Sequence, residues 1–171
     1  MRRLLLRVGL PFGLAALVAG LLLFEPWRAF TSSRLDEPVP VAAPATTEPS
    51  ETTTTPPVPA VLAEGAFVSQ EHDTSGTARV LELPNGSRVL RLEAFSTSDG
   101  PDVHVWLSDA TAGGDWNAYD DGRYVPLGEI KATDGNHNYA IPADAELAGL
   151  RSVVIWCDRF NVAFGSAPLA L

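Results

Sequence analysis

The sequence predicts an all-β fold, a β-sandwich of short antiparallel strands, preceded by one N-terminal transmembrane helix and a disordered Pro/Thr-rich stalk. Three observations carry this. Past Glu64, short runs of β-branched and aromatic residues recur with turn signals between them, and no long amphipathic helix interrupts them. Near the N-terminus, residues 8–24 are apolar and uncharged. Between the two, residues 31–63 hold seven Pro and seven Thr in 33 positions, too little apolar surface to offset the entropy of ordering. The expected organisation is therefore an anchor over 1–30, a linker over 31–63 and a folded domain over 64–171.

In the anchor, residues 4–24 are apolar apart from Arg7. As a helix they would reach roughly 25–30 Å, about one bilayer core. Arg2, Arg3 and Arg7 precede the uncharged run over 8–24, and Arg28 and Arg34 follow it. That bias orients the N-terminus to the cytoplasm and the rest outside, as a single-pass cell-membrane protein whose helix contacts lipid. Trp27 and Phe30 flank Arg28 as an interfacial belt. A cleaved signal peptide is the alternative, but the apolar core is long and no A-x-A site follows it. A lipoprotein anchor needs a cysteine just after the core, and none is there.

The linker, if extended at about 3.1 Å per residue, reaches on the order of 100 Å at most. It reads as a spacer through a cell-wall layer, or as a plain tether. Charge is uneven: +3 up to Phe30, −4 over 31–64 and −8 from Gly65 on, within a net −9. A domain this acidic is a poor match for nucleic acid, whose phosphates need a basic surface.

In the domain, residues 79–83 and 87–94 flank Pro84-Asn85-Gly86. Asn-Gly predicts a type I′ hairpin that sets Leu81 opposite Leu90 and puts Leu83 and Leu92 on the same face. Val80, Glu82, Val89 and Arg91 then form a wetter face. Gly100-Pro101 opens a strand over 103–108, with Val103, Val105 and Leu107 on one side and His104 and Trp106 on the other. A polar loop over 111–122 follows, then short strands over 125–130 and 138–141 around an Asp134-Gly135 turn. Residues 143–147 suit one helical turn. The last stretch, SVVIWCDRFNVAFGSAPL from Ser152, reads as two strands. Val153, Ile155 and Cys157 share one face of the first, and Val154 and Trp156 share the other; Phe160, Val162 and Phe164 alternate in the second.

Cys157 is the only cysteine, which excludes an internal disulfide and any multi-cysteine metal site within one chain. Both faces of its strand are apolar, so a buried position is expected. An inert small hydrophobe, a redox thiol or ligand, and an intermolecular disulfide all stay open. Asp158 disfavours a thiolate and Arg159 favours one. His72, His104 and His137 show no zinc-type spacing. Cysteine plus one histidine can nevertheless hold a haem iron. Asp115, Asp120 and Asp121 offer oxygens to Ca²⁺ but without EF-hand spacing. Trp106, Trp116, Tyr119, Tyr124 and Trp156 are candidates for a sugar-stacking platform, or for core. No hydrolase, nucleotide-binding or zinc-protease motif is present.

Taken together, several segments resemble the DM-13 domain family, a DOMON-allied group proposed as electron-transfer domains, here in a membrane-anchored bacterial form. They are Gly65-Ala66-Phe67 with His72 and Gly76, Phe95, the run from Gly100-Pro101-Asp102 to Ser108, Leu127-Gly128-Glu129, Gly135-Asn136-His137-Asn138-Tyr139, and Ile155-Trp156-Cys157 with Phe160, Phe164, Ala167 and Leu169. The resemblance implies an extracytoplasmic β-sandwich whose signature cysteine is Cys157, a bare redox thiol or a haem ligand. His72 is the histidine that best matches the family and so the implied second ligand. With no C-x-x-C-H motif, covalent haem is not expected. An extracytoplasmic redox partner is implied, since one thiol cannot form its own disulfide. The competing expectation is a non-enzymatic binding module for glycan, protein or wall polymer, in which Cys157 only packs the core.

Overall fold

The computed structural model describes residues 2–25, 27–28, 31–40 and 58–171, with side chains from Gly13 onward. Residues 41–57, the middle of the expected stalk, lie outside the described residues. The elements are helix α1 (Arg2–Phe24) and strands β1 (Arg34–Asp36), β2 (Ala60–Ala66), β3 (Val68–Ser69), β4 (Ser75–Glu82), β5 (Arg88–Ser96), β6 (Val103–Ser108), β7 (Tyr124–Glu129), β8 (Asp134–Ile141), β9 (Ser152–Cys157) and β10 (Val162–Pro168). They form two five-stranded sheets, ordered β1-β8-β5-β4-β2 and β3-β10-β9-β6-β7. Every pairing is antiparallel except β1 with β8.

The sheets face each other across one core. Val80, Leu90 and Leu92 come from the first, and Val105, Leu107, Val153 and Ile155 from the second. Alternation along each strand does this, since a period of two sends every second side chain inward. The sandwich-like, mostly β architecture agrees with the expectation. The span expected over residues 4–24 is not supported: among the described residues, no helix is long and apolar enough to cross a membrane.

Several local expectations are corrected. The hairpin register is shifted by one, pairing Val80 with Leu90 and Leu81 with Val89. Only Gly86 in the turn has a positive φ, of 80°. A type I′ turn needs two such residues. Instead, Leu83 N–H donates to Ser87 O at 2.8 Å and closes a longer loop, with Asn85 Oδ1 accepting from Ser87 N–H at 3.0 Å. Ala78, Val80, Leu90 and Leu92 are thus the core residues of this hairpin. Asp134-Gly135 is not a turn but the start of β8, and residues 143–147 form turns without a helix. Phe160 lies exposed in the turn before β10 rather than in the strand.

Both ends of the expected stalk carry strand. Residues 60–63 belong to β2, and β1 pairs Arg34, Leu35 and Asp36 with Asp134, Gly135 and Asn136. Gly135 permits this approach: its φ is +114°, and a side chain there would collide with Leu35 O. The strap covers Arg91, expected on a wet face but buried. Arg91 bonds Glu93 at 2.7 Å, Asn138 Oδ1 at 2.9 Å and the carbonyls of Glu37 and Pro38 at 3.3 and 3.1 Å. An arginine this desolvated persists because its Nε and Nη1 groups find oxygens.

Three titrating groups around this strap shift in the same sense. Burial alone would raise the Glu37 carboxyl, but the Asn138 N–H and the Lys131 ammonium outweigh it and hold it below 4.5. The Thr133 and Ser96 hydroxyls hold Asp134 below 3.8. Burial pushes His137 below 6.5; its Nε2 lies 3.0 Å from Asp134 O and its Nδ1 has no partner among the described residues. Each folded value lies under the unfolded one, so the unfolded chain takes up protons first as pH falls. Stability is expected to hold near neutrality, to decline as pH drops through 6.5 on account of His137, and to decline again below 4.5 on account of Glu37 and Asp134. Thermal midpoints from about pH 7 to about pH 3 check this; a flat profile down to about pH 4 contradicts it.

Candidate functional site around Cys157

Cys157 closes β9, the central strand of its sheet. Val103 of β6 pairs with it on one side and Val162 of β10 on the other. It is 0% exposed and packs into the core between the sheets with Val103, Ile155 and Phe164. It lines none of the described cavities. The expected burial is therefore found, on the expected face.

Burial pushes the Cys157 thiol above its ordinary value of 9.0. The nearby backbone of Phe160, Arg159 and Asp102 pulls the other way, while the Asp102 carboxylate adds to the rise. The chain turns just past the strand end, where Asp158 N–H donates to Asp102 O at 3.0 Å. That bond ties together the two loops that flank the sulfur. Sequence reasoning weighed the side chains of Asp158 and Arg159 here and missed Asp102, which is distant in sequence but adjacent through the β6–β9 pairing.

His72 is half-buried, at a cavity that Cys157 does not line. Its ring lies against Phe164, with centroids 4.0 Å apart. Both line a cavity of about 280 Å³ with Phe24, Arg28, Asp99 and Phe160. Phe24 stacks on Phe160 at 6.3 Å, Arg159 bonds Leu23 O, and Arg28 bonds Gly100 O at 3.2 Å, so the helix end sits on the loops beside Cys157. A haem held through Cys157 needs an open face at the sulfur; here strands flank it and core side chains cover it. The residues present do not fit haem ligation by Cys157 and His72.

The other histidines are used differently. His137 is sealed within the first sheet. His104 Nε2 lies 2.9 Å from Asp102 Oδ1 and 3.7 Å from Asp158 Oδ2. Among the described residues this is the one place where histidine and carboxylates converge, and Asp115, Asp120 and Asp121 of the polar loop are not part of it.

The aromatic candidates divide. Trp106, Tyr119 and Trp156 pack with Val154 and Ala163 as a second, smaller core on the outer face of the β9 sheet. Tyr124 stacks on Trp106. Trp116 stays 45% exposed at a cleft of about 210 Å³ with Gln70, Gly114 and Asp115.

A family model described as "Electron transfer DM13" matches residues 66–169, well over half of the chain. No curated protein and no solved structure matches it. The matched segment runs from the end of β2 to just past β10 and contains the whole Cys157 environment. This chain belongs to the DM13 electron-transfer family.

Proposed function

We propose that this chain is a membrane-tethered, extracytoplasmic electron-transfer module in which Cys157 exchanges single electrons with a protein partner without touching it. The observation that carries the reading is a sealed sulfur on the central strand of its sheet, paired on both sides. Thiol–disulfide exchange requires attack at sulfur, and peroxide chemistry requires an accessible thiolate. A thiol closed in a sheet core offers neither, whereas an electron needs no contact with the sulfur. The oxidant is a one-electron acceptor protein. One electron leaves the thiol for it, a thiyl radical remains, and the proton passes to Asp102, whose carboxylate meets His104 at 2.9 Å and is open to water. The family description supports the redox class. The apolar run before the domain supports tethering, with Arg2, Arg3 and Arg7 on the cytoplasmic side.

The test uses a photogenerated ruthenium(III) polypyridyl complex as one-electron oxidant in aerated buffer. Free thiol is then counted after unfolding. The count is expected to fall with each equivalent of oxidant. Full recovery of the thiol overturns the reading.

The exposed Trp116 cleft favours a second reading, a binding module for glycan, protein or wall polymer. Under it, Trp116→Ala abolishes retention on a cell-wall preparation and Cys157→Ser leaves retention intact.

A further inference from the structure

A sulfur that no reagent can touch needs a route for its electron. The outer face of the same sheet carries one. Tyr124 is 39% exposed and stacks on Trp106, with centroids 4.2 Å apart and rings 14° from parallel. Trp106 stacks on Trp156 at 5.2 Å and 29°. Tyr119 meets Trp156 edge-on at 6.3 Å, as a side branch. Trp156 is the peptide neighbour of Cys157, so the array runs from solvent to the residue beside the sulfur.

Packing explains why large rings gather there, and such pairs stabilise a sheet face. It does not explain two details. The array ends at a half-open ring rather than under a polar cap. And the buried Trp156 indole N–H donates to Asp158 Oδ1 at 2.8 Å, a carboxylate that is itself exposed.

We propose that Tyr124, Trp106 and Trp156 form the electron path between the surface and Cys157, with Asp158 as proton acceptor for Trp156. Its inner terminus rests on the Cys157 reading; the path itself does not. A one-electron oxidant at Tyr124 takes one electron. The vacancy passes through the stacked rings to Trp156. The oxidised indole gives its N–H proton to Asp158 and becomes a neutral indolyl radical. One electron from the Cys157 sulfur and the proton returned by Asp158 restore the indole, and the thiol proton leaves to Asp102. The net change is one electron to the oxidant, one proton to water and a thiyl radical at Cys157. No bond between heavy atoms forms or breaks.

The experiment uses the full chain carrying Trp27→Phe and Trp116→Phe, which removes the two exposed indoles. The photogenerated ruthenium(III) complex is the oxidant, and transient absorption and spin resonance are the readouts. A neutral indolyl radical is expected. Tyr124→Leu and Trp106→Leu should abolish it while circular dichroism shows the fold retained. Asp158→Asn should convert it into the protonated cation radical, a spectral change that a packing role would not produce. Cys157→Ser should keep the radical and lengthen its life, because its filling electron is gone. An indolyl signal indifferent to Tyr124→Leu, Trp106→Leu and Asp158→Asn overturns the path. A normal radical whose lifetime ignores Cys157→Ser keeps the path and overturns the Cys157 terminus.

Discussion

Iodoacetamide should modify Cys157 in the native chain at least about a thousandfold more slowly than in the unfolded chain, since reaction must wait for the core to open. The sulfur is 0% exposed and sits on the central strand, paired on both sides. Opening it means parting β9 from a neighbour, which approaches the cost of unfolding the sheet. Moderate alkali should not remove the protection, because burial also holds the thiol above 9.0. Mass spectrometry of timed samples measures both rates. Native modification within tenfold of the unfolded rate would mean that the sulfur has access to solvent, and contact chemistry at Cys157 would have to be reconsidered.

Phe164→Ala is the substitution expected to cost most, about 3–5 kcal/mol. The ring is 2% exposed, supports His72 at 4.0 Å, and fills the space that Gly100 leaves by lacking a side chain. A Cβ on Gly100 would stand 2.9 Å from Phe164 Cζ and 2.7 Å from Val103 Cγ2, so the contact is already close. Removing the ring opens a void in the core cluster that holds Cys157. The urea midpoint should fall, and native alkylation should accelerate roughly a hundredfold or more, as the open population rises with the lost stability. An unchanged midpoint, or a lower one with no gain in alkylation, would show that Phe164 does not guard the sulfur.

What was legible in the sequence was whatever depends on alternation. Val153, Ile155 and Cys157 against Val154 and Trp156 could be read directly, because strand period assigns faces without knowledge of the partner. Val103, Val105 and Leu107 against Trp106 followed in the same way. What depends on pairing was not legible. Asn85-Gly86 matches a two-residue turn, yet the closing bond falls at Leu83 and Ser87, and one residue of slip moves Leu81 off the core face. Arg34-Leu35-Asp36 carries no strand pattern; β8 imposes the conformation through Gly135. The indole array had a readable signal, since Trp106 and Trp156 both lie on the faces turned away from the core. That signal needed the adjacency of β6 and β9, which no local pattern supplies.

The strap on β8 changes what the proline-threonine segment can do. β1 and β2 lie at opposite edges of one five-stranded sheet, about 20 Å apart at strand spacing. The strand at the N-terminal end of that segment is therefore already clasped to the body it was expected to hold at arm's length. A protease that cut the chain between β1 and β2 would leave the two fragments bound together through the β1–β8 pairing, and the domain would stay beside its N-terminal helix instead of drifting free.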